Sequence, residues 1–311
     1  MTGTNGFIGS VLSEKLVERN HEVYGLCRNV TDRQIRLRGV YPIFGDITDA
    51  PFINKIVSDL QPDVVVHLAA PSSVAYSHEH VLENLRTTCE GTINLQKACL
   101  QNSNLWKFIF AGTSEEYGNQ SIFPISESAP LLGNQPYSIA KIYADQYLHY
   151  CKASLGFPSI IVRPFNTYGR TKNFTFVTEK IISQMLSGNK IYLGLLEPTR
   201  DLLYVEDHID GYIKAIESSN DEIFKCRAIN LCTGVENTIG MLLNKISKIL
   251  NWKGEVILNV QVRPTEVYRL LGDYSLAYET LGWYPKVRLE EGLKLTINKI
   301  KELKCGQPIT S

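Results

Sequence analysis

The chain has 311 residues, of which 44 % are hydrophobic and 21 % are charged, and its 32 basic side chains balance its 32 acidic ones. This composition predicts a globular protein with a large core and excludes collagen-like, coiled-coil and disordered chains. Because the net charge is zero, no bulk field would draw the chain onto nucleic acid or an anionic membrane, and any anionic ligand must be bound by local groups.

The sequence also indicates the compartment. No apolar stretch reaches the roughly 18 residues that a bilayer requires, and no basic region precedes an apolar one at the start. We therefore expect a cytoplasmic protein without membrane partners. The seven cysteines form no CxxC pair, which favours reduced thiols and predicts no metal site.

Short apolar runs rich in branched residues alternate with longer helical patterns. The predicted strands are 21–28, 41–46, 63–70, 107–113, 159–166 and 228–234. Apolar residues recur at helical spacing from Ile8 to Leu16 and in 82–100, 137–155, 176–186 and 207–216. This alternation predicts an α/β fold with a Rossmann-like, doubly wound parallel sheet.

Beyond Asn166 the alternation loosens, with polar loops predicted at 169–174 and 195–200. We therefore expect two domains built from non-contiguous pieces. The cofactor domain would comprise residues 1–166 and about 201–234. A smaller C-terminal α/β substrate domain would comprise about 167–200 and 235–311.

Three glycines, Gly3, Gly6 and Gly9, stand at GxxGxxG spacing directly before the first predicted helix. This pattern is typical of a tight turn whose backbone approaches a pyrophosphate at a helix N-terminus. Such a turn should follow a central apolar strand, yet only Met1 precedes Thr2. We expect that first strand to be largely missing, because the chain starts late or, as a second interpretation, because the strand is reduced to a stub. A native protein whose mass places its start at Met1 would exclude the late start.

Arg28 ends the second predicted strand, where an acidic residue would bind a ribose 2′-hydroxyl. Three more arginines follow closely: Arg33, Arg36 and Arg38. A guanidinium suits a 2′-phosphate, so NADP is the predicted cofactor, with NAD as the alternative. A solvated basic loop is the structural alternative.

A second motif group follows the fifth predicted strand. Thr113 ends that strand, and Tyr137 and Lys141 open a later helix, on one face of it. An ammonium beside a phenol, together with a cationic nicotinamide, lowers the tyrosine pKa from about 10 toward neutrality, so that the phenol can act as a base. Because sixteen tyrosines would give about one YxxxK pair by chance, the order of the motifs carries the inference.

With these motifs in order, the chain resembles the extended short-chain dehydrogenase/reductases of the NAD-dependent epimerase/dehydratase family, which act on nucleotide sugars. The resemblance runs from Gly3 to about Leu293 and departs from many members at Thr88. It rests on TGxxGxxG, Asp46, HLAA at 67–70, Thr113, YxxxK at 137–141 and RPFN at 163–166.

Within the family, Thr113-Ser114-Glu115 resembles the Thr-Ser-Glu of GDP-mannose 4,6-dehydratases and UDP-glucuronate decarboxylases. Segments 263–267, 271–273 and 281–283 are similar to the GDP-mannose enzymes. By contrast, 112–118 also resembles GDP-4-keto-6-deoxymannose reductases, and 166–170 departs from GDP-mannose dehydratases and resembles decarboxylases or other hexosamine dehydratases. The resemblance therefore implies a 4,6-dehydratase that converts GDP-mannose to GDP-4-keto-6-deoxymannose. A 4-keto reductase, a 4-epimerase, a UDP-glucuronate decarboxylase and a UDP-GlcNAc 4,6-dehydratase are the alternatives. A non-catalytic NADP sensor is the alternative of another class, which the triad of Thr113, Tyr137 and Lys141 disfavours.

The resemblance also implies the site residues. Tyr137, activated by Lys141, and Thr113 would act at the sugar 4-hydroxyl, and Glu115 would remove the C5 proton. The implied cofactor-binding residues are Gly3, Asn5, Gly6, Phe7, Ile8, Arg28, Asp46, Ile47, Leu68, Ala69, Ala70, Tyr137 and Lys141. The implied substrate-binding residues are Asn166, Asn173, Arg200, Arg263 and Glu266. Relatives generally pair through cofactor-domain helices, so we expect a homodimer or homotetramer.

Several of these residues have a plain structural alternative. Arg200 could pair with Asp201 or Asp207 instead of a phosphate. We expect Trp252 and Trp283 in the core, and His67 and His208 hydrogen-bonded rather than bound to a metal.

Overall fold

The computed structural model describes residues 1–28, 38–259 and 267–305. Its strands, in chain order, are β1 (Val23–Cys27), β2 (Val40–Phe44), β3 (Val64–His67), β4 (Lys107–Ala111), β5 (Ser159–Pro164), β6 (Asn166–Tyr168), β7 (Lys190–Leu193), β8 (Thr199–Tyr204), β9 (Ile229–Leu231), β10 (Glu236–Thr238) and β11 (Glu255–Leu258). Its α-helices are α1 (Phe7–Glu18), α2 (Ala50–Leu60), α3 (Val74–Glu79), α4 (Val81–Leu85), α5 (Gly91–Leu100), α6 (Pro136–Leu155), α7 (Val177–Ser187), α8 (Val205–Glu217), α9 (Ile239–Leu250), α10 (Ser275–Leu281) and α11 (Leu289–Cys305). Within these ranges, no helix is both long and apolar enough to cross a membrane.

The main sheet is parallel and comes in two parts, β2-β1 and β3-β4-β5-β9. Residues 1–3 join the parts: the Thr2 N–H donates to the Val66 carbonyl at 2.9 Å, and the Gly3 N–H donates to the Leu26 carbonyl at 3.0 Å. This short segment therefore occupies the position of a central strand. The predicted doubly wound parallel sheet is confirmed, and its strands lie within the predicted runs except β2, which begins one residue early, at Val40.

Helix α6 carries two of the predicted catalytic side chains, and its ends follow from the sequence. Pro136 starts the helix, where a missing N–H costs no helical hydrogen bond. Gly156 ends it with φ +67°, a left-handed conformation that favours glycine. Tyr137 and Lys141 are thereby fixed one turn apart at the carboxyl edge of the sheet.

The second half of the chain adds smaller sheets. Strand β8 pairs with β6 in parallel and with β10 antiparallel, and β7 pairs with β11 in parallel. Helices α7, α9 and α11 bury apolar side chains in the same large core as the inner face of the main sheet. The proposed division into two domains remains a prediction.

One predicted helix changes type along its length, and one predicted boundary is wrong. The segment 82–100 is helical throughout, but a π-helical turn, Arg86–Glu90, separates α4 from α5 and contains the buried β-branched pair Thr87 and Thr88. The predicted loop 195–200 ends inside β8, because Thr199 and Arg200 join the ladder with β10.

Candidate active site

The glycine turn has the geometry that the spacing predicts. Gly3 has φ +72°, and a Cβ on it would lie 2.9 Å from the Ala69 nitrogen. A Cβ on Gly9 would lie 2.2 Å from the Gly3 carbonyl oxygen. Gly6 precedes α1, and no side chain in the described part of the chain caps that helix. The first-turn N–H groups therefore suit an anionic group, and the turn fits a pyrophosphate.

A cavity of about 500 Å³ lies at the carboxyl edge of the main sheet, between β4, β5 and the start of α7. Ligands of open α/β sheets bind at this edge. The cavity brings eight predicted site residues together: Ile8, Leu68, Ala70, Thr113, Glu115, Tyr137, Lys141 and Asn166.

Tyr137 and Lys141 both lie in the wall of this cavity and are almost fully buried. The Lys141 Nζ donates to the Ala111 carbonyl at 2.6 Å and lies 4.7 Å from the centre of the Phe110 ring. Burial raises the pKa of Tyr137, whereas a hydrogen bond with Thr113 and the positive charge of Arg170 act in the opposite direction. Burial lowers the pKa of Lys141. The phenol therefore needs further positive charge nearby to act as a base at neutral pH.

The two neighbouring glutamates after Thr113 face opposite ways. Glu115 lines the cavity. Glu116 is fully buried, and its carboxylate accepts from the Thr113 N–H at 2.9 Å and from the Arg163 Nε at 2.8 Å. Arg163 also donates through Nη2 to Asp145 at 2.7 Å. Because Asp145 lies on α6, this buried network ties the Thr113 loop to the helix that carries Tyr137.

The remaining predicted cofactor residues lie outside the cavity wall. Gly3, Asn5, Gly6 and Phe7 form the turn, and the Ala69 N–H donates to the Thr2 hydroxyl at 3.0 Å. Asp46 accepts from the Thr48 N–H at 2.9 Å, next to the buried Ile47. These residues lie in the glycine turn and directly after the ends of β2 and β3.

Arg28 is exposed and forms an ion pair with Glu83. Its Nη1 lies 3.1 Å from Glu83 Oε1, with 55 % of the arginine side chain exposed. Arg33 and Arg36 lie outside the described residues. Binding of a 2′-phosphate by Arg28 would therefore compete with Glu83.

The predicted substrate residues are dispersed. Asn166 lines the cavity, and its Oδ1 is buried without a hydrogen-bond partner among the described residues. Asn173 instead accepts from the Thr175 hydroxyl at 2.7 Å, and Arg200 donates through Nη1 to the Thr199 carbonyl at 2.8 Å. Arg263 and Glu266 lie outside the described residues.

The two carboxylates that the sequence offers as partners for Arg200 both accept hydrogen bonds from backbone N–H groups. Asp201 accepts from the N–H groups of Thr233 and Gly234. Asp207 accepts from the N–H groups of Lys286 and Val287. Both carboxylates therefore serve the backbone.

The histidines and tryptophans behave as structural residues, with one exception. Both His67 ring nitrogens are hydrogen-bonded to hydroxyl groups: Nδ1 lies 2.8 Å from Thr2 Oγ1, and Nε2 lies 3.0 Å from Thr92 Oγ1. Trp283 is fully buried and Trp252 is half-buried. His208 contacts the Thr167 hydroxyl at 2.8 Å through Nδ1, but its buried Nε2 has no partner in the described part of the chain and the ring lines the cavity.

The sequence reasoning missed a polar group of the cavity wall formed by Arg170, Glu179 and His208. These residues come from the loop after β6, from α7 and from α8. The sequence feature that could have pointed to this group is Arg170. It ends the segment 166–170, where the chain departs from GDP-mannose dehydratases.

Comparisons with known proteins find a matching family and similar sequences. The family described as GDP-mannose 4,6 dehydratase matches residues 1–296. GDP-mannose 4,6 dehydratase 1 of Arabidopsis thaliana is 29 % identical, over 97 % of this chain and 89 % of that protein. A Methanocaldococcus jannaschii protein named provisionally as a UDP-glucose 4-epimerase is 30 % identical over 97 % of each chain.

Solved structures are similar over the whole chain. The UDP-glucose 4-epimerase of Thermotoga maritima, solved with UDP-glucose, has a TM-score of 0.89 at 30 % identity and covers 97 % of this chain and 98 % of its own. A UDP-glucuronic acid 4-epimerase variant from Bacillus cereus, solved with a fluorinated UDP-sugar and NAD, has a TM-score of 0.89 at 27 % identity, with the same coverage.

The fold, the glycine turn and the Thr113, Tyr137 and Lys141 cavity define an enzyme of the NAD-dependent epimerase/dehydratase class. Within that class, the chain belongs to the GDP-mannose 4,6 dehydratase family.

Proposed function

We propose that the protein is a nucleotide-sugar 4,6-dehydratase that converts GDP-mannose to GDP-4-keto-6-deoxymannose. The observation that carries this proposal is the position of Glu115, whose side chain lines the same cavity as Thr113, Tyr137 and Lys141. Elimination of water across C5 and C6 needs a base beside the site of C4 oxidation. The family match supports the same reaction.

The roles of the residues follow from the chemistry. Tyr137 takes the proton of the sugar 4-hydroxyl, Lys141 holds positive charge near the phenol, and Thr113 bonds the same sugar oxygen. A dinucleotide held at the glycine turn of Gly3, Gly6 and Gly9 would supply reversible hydride transfer to this reaction. Glu115 removes the proton from C5, which the 4-ketone has made acidic, and assists departure of the C6 hydroxyl as water. The net reaction is loss of one water without net oxidation.

For the cofactor we propose NADP, with NAD as the alternative. The glycine turn suits the pyrophosphate that both dinucleotides carry. Arg28 supports NADP because a guanidinium pairs well with a 2′-phosphate. The NAD found in the Bacillus cereus epimerase structure supports the alternative. We further propose that Asn166, Asn173, Arg200, Arg263 and Glu266 bind the nucleotide sugar.

A UDP-sugar 4-epimerase is the second candidate function. The similarity to the Thermotoga maritima and Methanocaldococcus jannaschii proteins favours it. A 4-epimerase uses the same tyrosine chemistry at C4 but needs no base for C5, so Glu115 separates the two candidates.

The test is a product assay. The full chain is incubated with NADP⁺, and in parallel with NAD⁺, together with GDP-mannose, UDP-glucose, UDP-GlcNAc or UDP-glucuronate, and each product is identified by mass spectrometry. We expect GDP-mannose to lose one water without consumption of external cofactor. A new chromatographic peak with the mass of the UDP-sugar substrate would identify an epimerase, and loss of carbon dioxide would identify a decarboxylase.

We also propose that the protein forms a homodimer through α4 and α6. These helices expose large apolar side chains on the surface: Leu82, Ile139, Tyr143 and Tyr150, each at least 49 % exposed. The two helices contact each other, and exposed apolar patches mark interaction sites. Light scattering should give twice the monomer mass, and Y143E should give the monomer; a monomeric wild type at micromolar concentration would contradict the proposal.

A further inference from the structure

Arg170 has an unusual setting in the cavity wall. Its guanidinium carbon lies 4.4 Å from the centre of the Phe7 ring and 3.8 Å from the centre of the Phe176 ring. Phe7 is the first residue of α1, directly after the glycine turn, and Phe176 directly precedes α7. The guanidinium thus lies between the cofactor turn and the loop that enters α7, and 13 % of the side chain is exposed.

One nitrogen of this guanidinium is anchored. Nη1 donates to the Thr167 carbonyl and lies 3.6 Å from Glu179 Oε1. Glu179 is itself held, because the same oxygen accepts from the N–H groups of Gly169 and Arg170, both at 2.9 Å. Among the described residues, none accepts a hydrogen bond from Nε or Nη2 of Arg170. The side chain is therefore fixed in plane while one edge keeps two free N–H donors.

A fixed guanidinium edge of this type matches two oxygens of a phosphate. Among the other cations near the site, the Lys141 Nζ bonds a backbone carbonyl, Arg28 pairs with Glu83, and Lys180 lines the cavity as an ammonium without a planar edge. Glu115 and Glu179 are the carboxylates among the described residues of the cavity wall, and the Glu179 carboxylate accepts from backbone N–H groups. Arg170 is therefore the guanidinium best placed for an anion in this cavity.

We propose that Arg170 binds a diphosphate group through its Nε and Nη2 edge. The choice of ligand rests on the proposed function, because a dinucleotide and a nucleotide sugar both carry a diphosphate. The position between the glycine turn and the α7 loop is compatible with either source, and the experiment separates them.

The experiment is calorimetric titration of wild type, R170M and R170K with NAD⁺, NADP⁺, GDP and UDP. We expect R170M to lose affinity for the dinucleotides or for the nucleoside diphosphates by about ten- to a hundred-fold, the range for charge-assisted hydrogen bonds. R170K keeps the charge but not the planar edge and should be intermediate.

Arg269 provides a matched control. Its guanidinium carbon lies 4.1 Å from the Phe123 ring centre, and its Nε lies 2.7 Å from Glu236 Oε1, so it has the same stacked and paired setting outside the cavity. R269M should leave all four affinities unchanged. This control separates loss of a diphosphate contact from general loosening of a stacked arginine.

The outcomes are distinct. Weaker binding of NAD⁺ and NADP⁺ alone identifies the cofactor diphosphate, and weaker binding of GDP and UDP alone identifies the substrate diphosphate. Unchanged affinities in R170M overturn the proposal, even where the product assay shows dehydration. Weaker diphosphate binding in R170M together with no 4-keto product in the wild type leaves the Arg170 proposal standing and overturns the dehydratase.

Discussion

Charged residues lie on both sides of the loop that follows β4, and the two sides differ in how their charges are satisfied. Behind the loop lies a rear network of Glu116, Arg163 and Asp145, which is fully buried and joined by hydrogen bonds of 2.7 and 2.8 Å. In front of it, Glu115 and Arg170 line the cavity, and Arg170 keeps free donors. A buried charge without a partner is very costly, so the paired charges of the rear network fix the loop after β4 against β5 and α6. The front side keeps bonding capacity for a ligand.

The sharpest test of this contrast substitutes the two adjacent glutamates. E115Q should lower kcat for dehydration by about 10²- to 10⁴-fold, the contribution of one general base, and leave urea unfolding unchanged. E116Q is the matched control: it should lower the unfolding midpoint, because its amide would present an N–H to the Arg163 Nε. Normal turnover by E115Q would contradict the role of Glu115 as the base.

Removing the shared cation of the rear network should give the largest loss of stability. R163M leaves two buried carboxylates unpaired, and breaking a buried pair from one side costs about 3–5 kcal/mol. Urea denaturation followed by circular dichroism measures this loss. The corresponding R170M change removes a cation that is partly exposed and paired at 3.6 Å, so its loss of stability should be much smaller. Equal losses in R163M and R170M would remove the distinction between the two sides.

Two buried histidines extend the comparison to pH. Burial lowers the pKa of His67 and of His208 to about 3, from 6.5 in the unfolded chain. Because the unfolded state binds the proton more readily, their contribution is fully present above pH 6.5 and is lost as pH falls toward 3. At pH 5 the free energy of unfolding should be lower than at pH 7 by about 2 kcal/mol for each of these histidines.

The measurement compares H67Q and H208Q with wild type by urea unfolding at pH 7 and pH 5. Each variant should lose less stability on acidification than wild type does, because glutamine cannot take up a proton. The difference from wild type isolates the histidine from buried carboxylates such as Asp201, whose raised pKa acts in the opposite sense. An unchanged acid response in H208Q would show that the cavity histidine is solvated.

A feature of the site could be predicted from the sequence where its interactions join residues that are close together in the chain. The glycine turn and the Tyr137 and Lys141 pair are local, because chain geometry at fixed spacing defines them. The opposite roles of Glu115 and Glu116 are not local, since they depend on Arg163 arriving from β5. Likewise, the setting of Arg170 is not local, because Phe7, far away in sequence, packs against its guanidinium.

The smallest expected effect concerns Arg28, which is exposed and paired with Glu83. An exposed ion pair contributes little to stability, so R28Q should unfold at the wild-type urea concentration. If Arg28 reads a 2′-phosphate, R28Q should bind NADP⁺ about tenfold more weakly, by loss of one charge-assisted contact, while NAD⁺ binding stays the same. E83Q is the matched control, because it releases Arg28 from its partner and should strengthen NADP⁺ binding. Equal affinities of R28Q and wild type for NADP⁺ would assign Arg28 to the surface ion pair alone and favour NAD as the cofactor.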